Sequence, residues 1–411
     1  MRGVMRGRRG GRWAAGLAAS LMLLTACGST AAPRADDQAL RRLLDRWSTA
    51  VRDHDEHAYL AAVDPAYRPD RRRVFAGLAE VPLASWEYRL VRTGTPQPQR
   101  GGGRRVEADA ELRYRLAGYD TAPVVVPVGL TLVRRGGGHW YVAGQRIRGA
   151  VPLWEQGRVT TVTGRYSLVL GVGQDEARLR AVAGLADRAV PDVDRAWHGG
   201  AWARRVVVEV PASLDRMAAL LGAPAARYRG IAAVTTGETG GGRGAPADRV
   251  VVNPEAYGTL GDFGRGVVLT HETAHVATRE QTSAATPLWL SEGFADWAAY
   301  RGSGRTPAQA APELAREVVA GREPEGLPDD AEFSFSGEAG RLSRAYEEGW
   351  LACRMIADRW GEDRLVAFYR AVGAHAGRAG AVEGAVREVL GTSPEEFTAR
   401  WRTYVTDALT A

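Results

Sequence analysis

The chain contains no lysine; all 54 of its basic residues are arginine. That absence reports a GC-rich coding sequence and says nothing of function. Cysteine is almost as scarce, with only Cys27 and Cys353 among 411 residues. Two cysteines exclude a disulfide framework, so the fold must rest on its apolar core. With 45% hydrophobic residues, the chain has the material for two or more domains. Past Leu24 no apolar run approaches the length of a membrane-spanning helix, and no internal repeat recurs. A true excess of one charge is also missing. The formal net charge is +6, but five of the 54 arginines lie in residues Met1 to Arg12, leaving 49 basic against 48 acidic residues. A basic footprint for nucleic acid is therefore not expected.

The N-terminus has a different character. Met1 to Arg12 is basic and free of acids, Trp13 to Leu24 is apolar, and Leu24-Thr25-Ala26-Cys27-Gly28 follows. A basic segment, a short apolar segment and small residues, in that order, predict a secretory signal over residues 1–26. The apolar run is too short to span a bilayer as a helix. Cys27 directly after Leu-Thr-Ala resembles the bacterial lipobox. That resemblance implies cleavage before Cys27, lipid on its side chain and attachment to the outer face of the cell membrane. The alternatives are an ordinary cleaved signal with an incidental cysteine and a short anchor left uncleaved. Residues 27–36 read as a tether.

From 37 to 148 an amphipathic helix, with Leu40, Leu43, Leu44 and Trp47 on one face, precedes segments of alternating hydrophobicity. Those segments are Trp86 to Val91, Arg105 to Leu116, Val124 to Arg134 and His139 to Ile147. Gly101-Gly102-Gly103 and Gly136-Gly137-Gly138 fall between them, where positive φ is tolerated. The prediction is a small α+β domain with an antiparallel meander. By pattern alone it resembles the cystatin-like cone of the nuclear transport factor two superfamily. Residues 149–158 read as a linker. From 159 to 411 strands and helices alternate at first: strand Ser167 to Leu170, helix Asp175 to Arg188, strand Arg205 to Val210, helix Ser213 to Leu221, strand Arg249 to Asn253. Gly237 to Gly244 is a glycine-rich loop, and beyond Gly261 the pattern is helical to the end.

The segment that carries chemistry is Leu269-Thr270-His271-Glu272-Thr273-Ala274-His275, in a helix that Asp262 can cap. Histidines at i and i+4 lie one turn apart on one face, so both imidazoles can reach one cation. Zinc suits them, since it binds neutral imidazole at about 2.0–2.1 Å with little geometric demand. In a chain with seven histidines, a chance HExxH is expected on the order of once in a hundred such sequences. The alternative is a buried helix with two incidental histidines. Thr286-Pro287-Leu288-Trp289-Leu290-Ser291-Glu292 starts another helix, with Thr286 at the N-cap and Pro287 at N1, and places Glu292 17 positions after His275. If that helix returns antiparallel past the first, Glu292 completes a His₂Glu set with a fourth position open. Asp296, one turn beyond, can accept the second N–H of a ligand histidine and fix its tautomer.

These residues resemble the gluzincins, which include thermolysin and the zinc aminopeptidases. Pro287-Leu288-Trp289-Leu290-Ser291-Glu292-Gly293-Phe294-Ala295 is particularly similar to the bacterial peptidase-MA-like domains. The resemblance covers roughly 159–411 and implies a zincin-like α+β peptidase domain. It implies one zinc on His271, His275 and Glu292, Glu272 as the base that takes a proton from water, and a peptide or protein substrate. Ala345-Tyr346-Glu347-Glu348-Gly349-Trp350 is similar to a phrase in which several gluzincins carry a tyrosine. The resemblance implies that Tyr346 stabilises an oxyanion; a packing role is the alternative. The Gly-x-Met-Glu-Asn segment of the aminopeptidases is absent, which points to an endopeptidase. A zincin fold without turnover, serving as a binding protein, is the competing reading.

Other features are less informative. Arg249 to Asn253 is either the edge strand that pairs with an extended peptide or an ordinary buried strand. His198, in Trp197-His198-Gly199-Gly200, is a turn residue or a second oxyanion donor. His54, His57, His139 and His375 read as surface or packing residues, and Cys353 as a small buried one.

Overall fold

The computed structural model describes residues 35–411 apart from 100–101, 137, 238–243 and 335–338. Cys27, the signal and most of the tether lie outside the described residues, as does most of the glycine-rich loop. The first unit opens with α1 (Ala35–Arg52), α2 (Glu56–Ala61) and α3 (Arg68–Leu78). Strands β1 (Leu83–Thr93), β2 (Gln97–Pro98), β3 (Arg104–Leu116), β4 (Val124–Arg134) and β5 (Trp140–Ile147) follow. They form an antiparallel sheet in the order β1-β3-β4-β5, with β2 on β3. Strict alternation along β3 sends Val106, Ala108, Ala110 and Leu112 inward, where they meet Leu40, Leu43, Leu44 and Trp47 of α1. Gly102 and Gly138 take positive φ in the hairpins, as the glycine runs predict.

The segment 149–158, read from the sequence as a linker, is folded in its middle, where Pro152, Leu153 and Trp154 are buried. It contains α4 (Leu153–Gln156), whose Leu153 and Trp154 belong to the same core. Trp154 packs edge-on against Trp86 and Tyr114, with ring centroids 5.5 and 4.8 Å away. Glu155 accepts both terminal nitrogens of Arg71 from α3, at 3.1 and 3.0 Å.

The second sheet runs β6-β7-β8-β10-β9, from β6 (Val159–Thr163), β7 (Ser167–Val172), β8 (Val206–Val210), β9 (Ala233–Thr235) and β10 (Arg249–Val252). β7, β8 and β10 are parallel, while β6 and β9 are antiparallel at the two edges. Every residue of β7, β8 and β10 is buried, as expected for parallel strands covered on both faces. Leu168, Leu170, Val172 and Val207 join the core of the first unit. Val169, Val206 and Val208 face α5 (Glu176–Ala196) and Leu269. The first unit therefore forms one cover of this sheet.

The remaining helices are α6 (Leu214–Leu221), α7 (Pro254–Thr259), α8 (Asp262–Thr278), α9 (Leu288–Tyr300), α10 (Pro307–Ala310), α11 (Pro312–Val319), α12 (Ala339–Trp360), α13 (Glu362–Gly373), α14 (Ala381–Val389) and α15 (Pro394–Thr410). No strand follows Val252 among the described residues, and no described helix is long and apolar enough to cross a membrane. The chain is thus mixed α+β with a helical C-terminal half.

Several local expectations are corrected. α5 runs on to Ala196, through Pro191. Of the two readings of Arg249 to Asn253 the buried strand is the one found: β10 lies between β8 and β9, and the edge on that side of the sheet belongs to β9. Asp262 lies inside the first turn of α8 after an N-cap at Gly261 and makes no capping bond. Pro287, not Thr286, is the N-cap of α9. The Thr286 hydroxyl accepts from Ser283 N instead, and the Asp330 carboxylate accepts from Leu288 N at 2.8 Å.

Candidate metal centre

α8 carries His271 and His275, and α9 carries Glu292 and Asp296. The Glu292 carboxylate lies near both histidines, and Asp296 near His271 alone. That pairing runs the two helices antiparallel, as the spacing predicts. His271 Nε2 and His275 Nε2 are 3.1 Å apart. Glu292 Oε2 lies 3.2 Å from the first and 3.4 Å from the second.

These distances allow a test of fit. Two ligand atoms on zinc at about 2.05 Å, at the tetrahedral angle, sit about 3.3 Å from each other. The three measured separations bracket that value. His271 Nδ1 is 2.8 Å from Asp296 Oδ1, so Nδ1–H donates to the carboxylate and Nε2 keeps its lone pair for a cation. Two imidazole nitrogens and a carboxylate oxygen converging in this way form a donor set suited to zinc.

Electrostatics agree with the geometry. Burial works against a charged His271, yet Asp296 and Glu292 overcome it and hold its pKa well above the usual histidine range. Burial likewise works against an ionised Glu292, yet His275 and His271 hold its carboxyl well below the usual carboxylate range. The site is built to surround positive charge, which a divalent cation would supply in place of protons.

Glu272 is buried between α8 and the second sheet. Its Oε2 accepts the hydroxyl of Thr235, the last residue of β9, at 2.6 Å. Tyr346 reaches the same cluster from α12. Its ring is centred 6.3 Å from the His271 ring and packs edge-on against Phe333 at 5.2 Å. Burial, followed by the Glu292, Asp296 and Glu272 carboxylates, pushes the Tyr346 hydroxyl well above the usual tyrosine range. It therefore stays a neutral donor near neutral pH.

His198 is not brought into this group. Its Nε2 lies 2.6 Å from Asp363 of α13, and its carbonyl accepts from Arg370. Cys353 is fully buried on α12, against the carbonyl of Leu290.

Two glycines hold α9 against α12. A Cβ at Gly293 would fall 2.2 Å from the Gly349 carbonyl oxygen, and one at Gly349 would fall 2.6 Å from that of Trp289. Only backbone against backbone fits. Gly293 directly follows Glu292, so this contact sets how closely Glu292 approaches Tyr346. Gly349→Ala is expected to force the helices apart and to cost about 1–3 kcal/mol, as overpacking does. Urea denaturation of parent and variant measures it, and an unchanged midpoint would show that the contact yields freely. Neither glycine nor Thr235 was singled out from the sequence. The glycines stand beside the chemical residues in both motifs and could have been found there.

No protein-family model and no curated protein matches the chain. Among solved structures, native yeast LTA4 hydrolase is similar over 77% of this chain and 67% of its own, with 10% identity and a TM-score of 0.37. The structure of yeast LTA4 hydrolase in complex with bestatin is similar over 78% of this chain, which spans 59% of that protein, with 11% identity and a TM-score of 0.34. Likeness at that level carries no weight on function, which rests on the site itself.

Proposed function

We propose that this chain is a zinc-dependent peptidase. His271, His275 and Glu292 hold the metal, and Asp296 fixes the tautomer of His271. The observation that carries the reading is the set of separations of 3.1, 3.2 and 3.4 Å among three donor atoms on two antiparallel helices. Zinc, when bound, supplies the Lewis acidity that makes a water acidic and polarises a carbonyl. The chain's own residues do the rest. Glu272 takes the proton of the attacking water and passes it to the leaving amine. Tyr346 donates its hydroxyl to the developing oxyanion.

Among the described residues β9 pairs with β10 alone, and its other edge would receive an extended peptide by strand addition. That mode reads backbone and binds internal stretches of chain, which favours an endopeptidase. With the signal over 1–26 and lipid on Cys27, the peptidase would sit on the outer face of the cell membrane.

The test is zinc per chain, by elemental analysis, on protein beginning after Cys27, beside Glu292→Ala. About one zinc is expected in the parent, and well under half of that in the variant once a third ligand is gone. A folded parent that takes up no zinc, even on reloading, would overturn the proposal and leave a binding protein of zincin shape.

A further inference from the structure

Thr235, on the edge strand β9, is hydrogen-bonded to the Glu272 carboxylate from outside α8. Its Oγ1 lies 2.6 Å from Glu272 Oε2 and 3.1 Å from the Glu272 carbonyl oxygen. A hydroxyl has one proton, and a carboxylate at that distance is the stronger acceptor. One lone pair of Oε2 is thereby engaged, which makes Oε1 the more basic oxygen and the better one to take a proton from water.

The strand that presents Thr235 is tied down on two sides. Thr236 N donates to Arg249 O at 2.8 Å, and Arg249 N donates to Thr236 Oγ1 at 2.9 Å. From just beyond the end of α8, Arg279 donates to the Thr236 carbonyl at 3.1 Å and to Asp248 at 2.8 Å. A closed circuit results: α8 to Arg279, to residues 236 and 248, to Thr235, and back to Glu272 on α8. The end of β9 and the start of β10 are both fastened by it.

We infer that Thr235 is a positioning residue for Glu272. It pins Oε2 so that Oε1 faces the reacting water in a single orientation. The inference rests on reading Glu272 as the base. Without the hydroxyl the carboxylate can rotate about its last side-chain torsion, which is broad and roughly two-fold. The fraction of time in the productive orientation then falls, while the metal ligands and the strand edge stay in place.

The experiment compares Thr235→Val, which keeps the volume and loses the hydroxyl, with Thr235→Ser, which keeps the hydroxyl. The probe is an internally quenched peptide selected from a library with the zinc-loaded parent. For Thr235→Val, kcat is expected to fall by about 10- to 100-fold, the scale of a misplaced catalytic group. KM should stay within about twofold and zinc per chain should be unchanged, since only the proton transfer is affected. Thr235→Ser should recover most of kcat. An unchanged kcat in the valine variant, or equal losses in both variants, would overturn the inference in favour of a packing role. A second readout needs no turnover. The carboxylate infrared bands that Glu272→Gln removes should shift in Thr235→Val and stay in place in Thr235→Ser. If the zinc-loaded parent cleaves no peptide, the peptidase reading fails and the inference with it; bands unmoved by the valine in a parent that does cleave would sink the inference alone.

Discussion

Glu272→Gln is expected to leave a folded, zinc-loaded chain that has lost about 10²- to 10⁴-fold in turnover, the range spanned by general-base catalysis. Glutamine has the volume of glutamate, and its amide oxygen can accept the Thr235 hydroxyl that now lies 2.6 Å from Glu272 Oε2. The buried surroundings of residue 272 therefore keep their packing and their hydrogen bond. The metal set is untouched, because Glu272 is not among the three converging donors. What disappears is the ability to accept a proton. The measurement is kcat beside zinc content and thermal stability. Full zinc, an unchanged melting temperature and parental turnover together would show that Glu272 is not the base. Loss of zinc with loss of turnover would mean that Glu272 holds the centre together.

That His271, His275 and Glu292 would come together was legible because the geometry is local. An i, i+4 pair is decided within one helical turn, and a second helix starting at a proline needs only to turn back for Glu292 to meet it. The features that escaped depend on distant chain. Thr235 stands 37 residues before Glu272, on a three-residue strand too short to show a period. Whether the valine-rich β10 is an edge or an internal strand depends on that same short neighbour. The apolar run says only that it is buried.

The segment 149–158 misled for a related reason. Leu153–Gln156 is a single turn of helix, flanked by Pro152 and Gly157, so it has the composition of a loop. Its meaning lies in Trp154, which fills the core between Trp86 and Tyr114. The caps of α8 and α9 show a smaller effect. Asp262 and Thr286 are suitable residues one register away from the cap position, and for Thr286 a local partner, the Ser283 amide three residues back, took the side chain instead.

Those distant contacts lead to the largest expected effect on stability. Asp120, in the turn between β3 and β4, is wholly buried against Arg249 at the head of β10. Arg249 Nη1 and Nη2 donate to its two oxygens at 2.9 and 2.8 Å, and the Ala247 and Leu116 amides donate to them at 3.0 and 2.7 Å. Both charges are out of water, with side-chain exposures of 0% and 8%. Removing one partner strands the other, and such losses cost about 3–5 kcal/mol. Glu209 on β8 is too weak a substitute: burial raises its pKa, and Arg249 only partly offsets this.

Asp120→Ala is therefore expected to lower the unfolding free energy by that amount, read as a shift in the urea midpoint with an unchanged slope. Asp120→Ala combined with Arg249→Met should recover part of the loss, because no charge is then left buried alone, and the double-mutant cycle isolates the pair. A single-variant loss below about 0.5 kcal/mol, the range of ordinary surface substitutions, would show that water or a neighbouring group replaces the partner. The same contact bears on the site. Arg249 is bonded through its backbone to Thr236, next to the residue that holds Glu272, so loosening Asp120 should lower turnover before it unfolds the chain. A first unit that covers Leu168, Leu170, Val172 and Val207 and fastens β10 by a buried ion pair serves as a structural wall of the half that carries the candidate metal site. For that reason residues 159–411 expressed alone are expected to aggregate through the uncovered face of the second sheet.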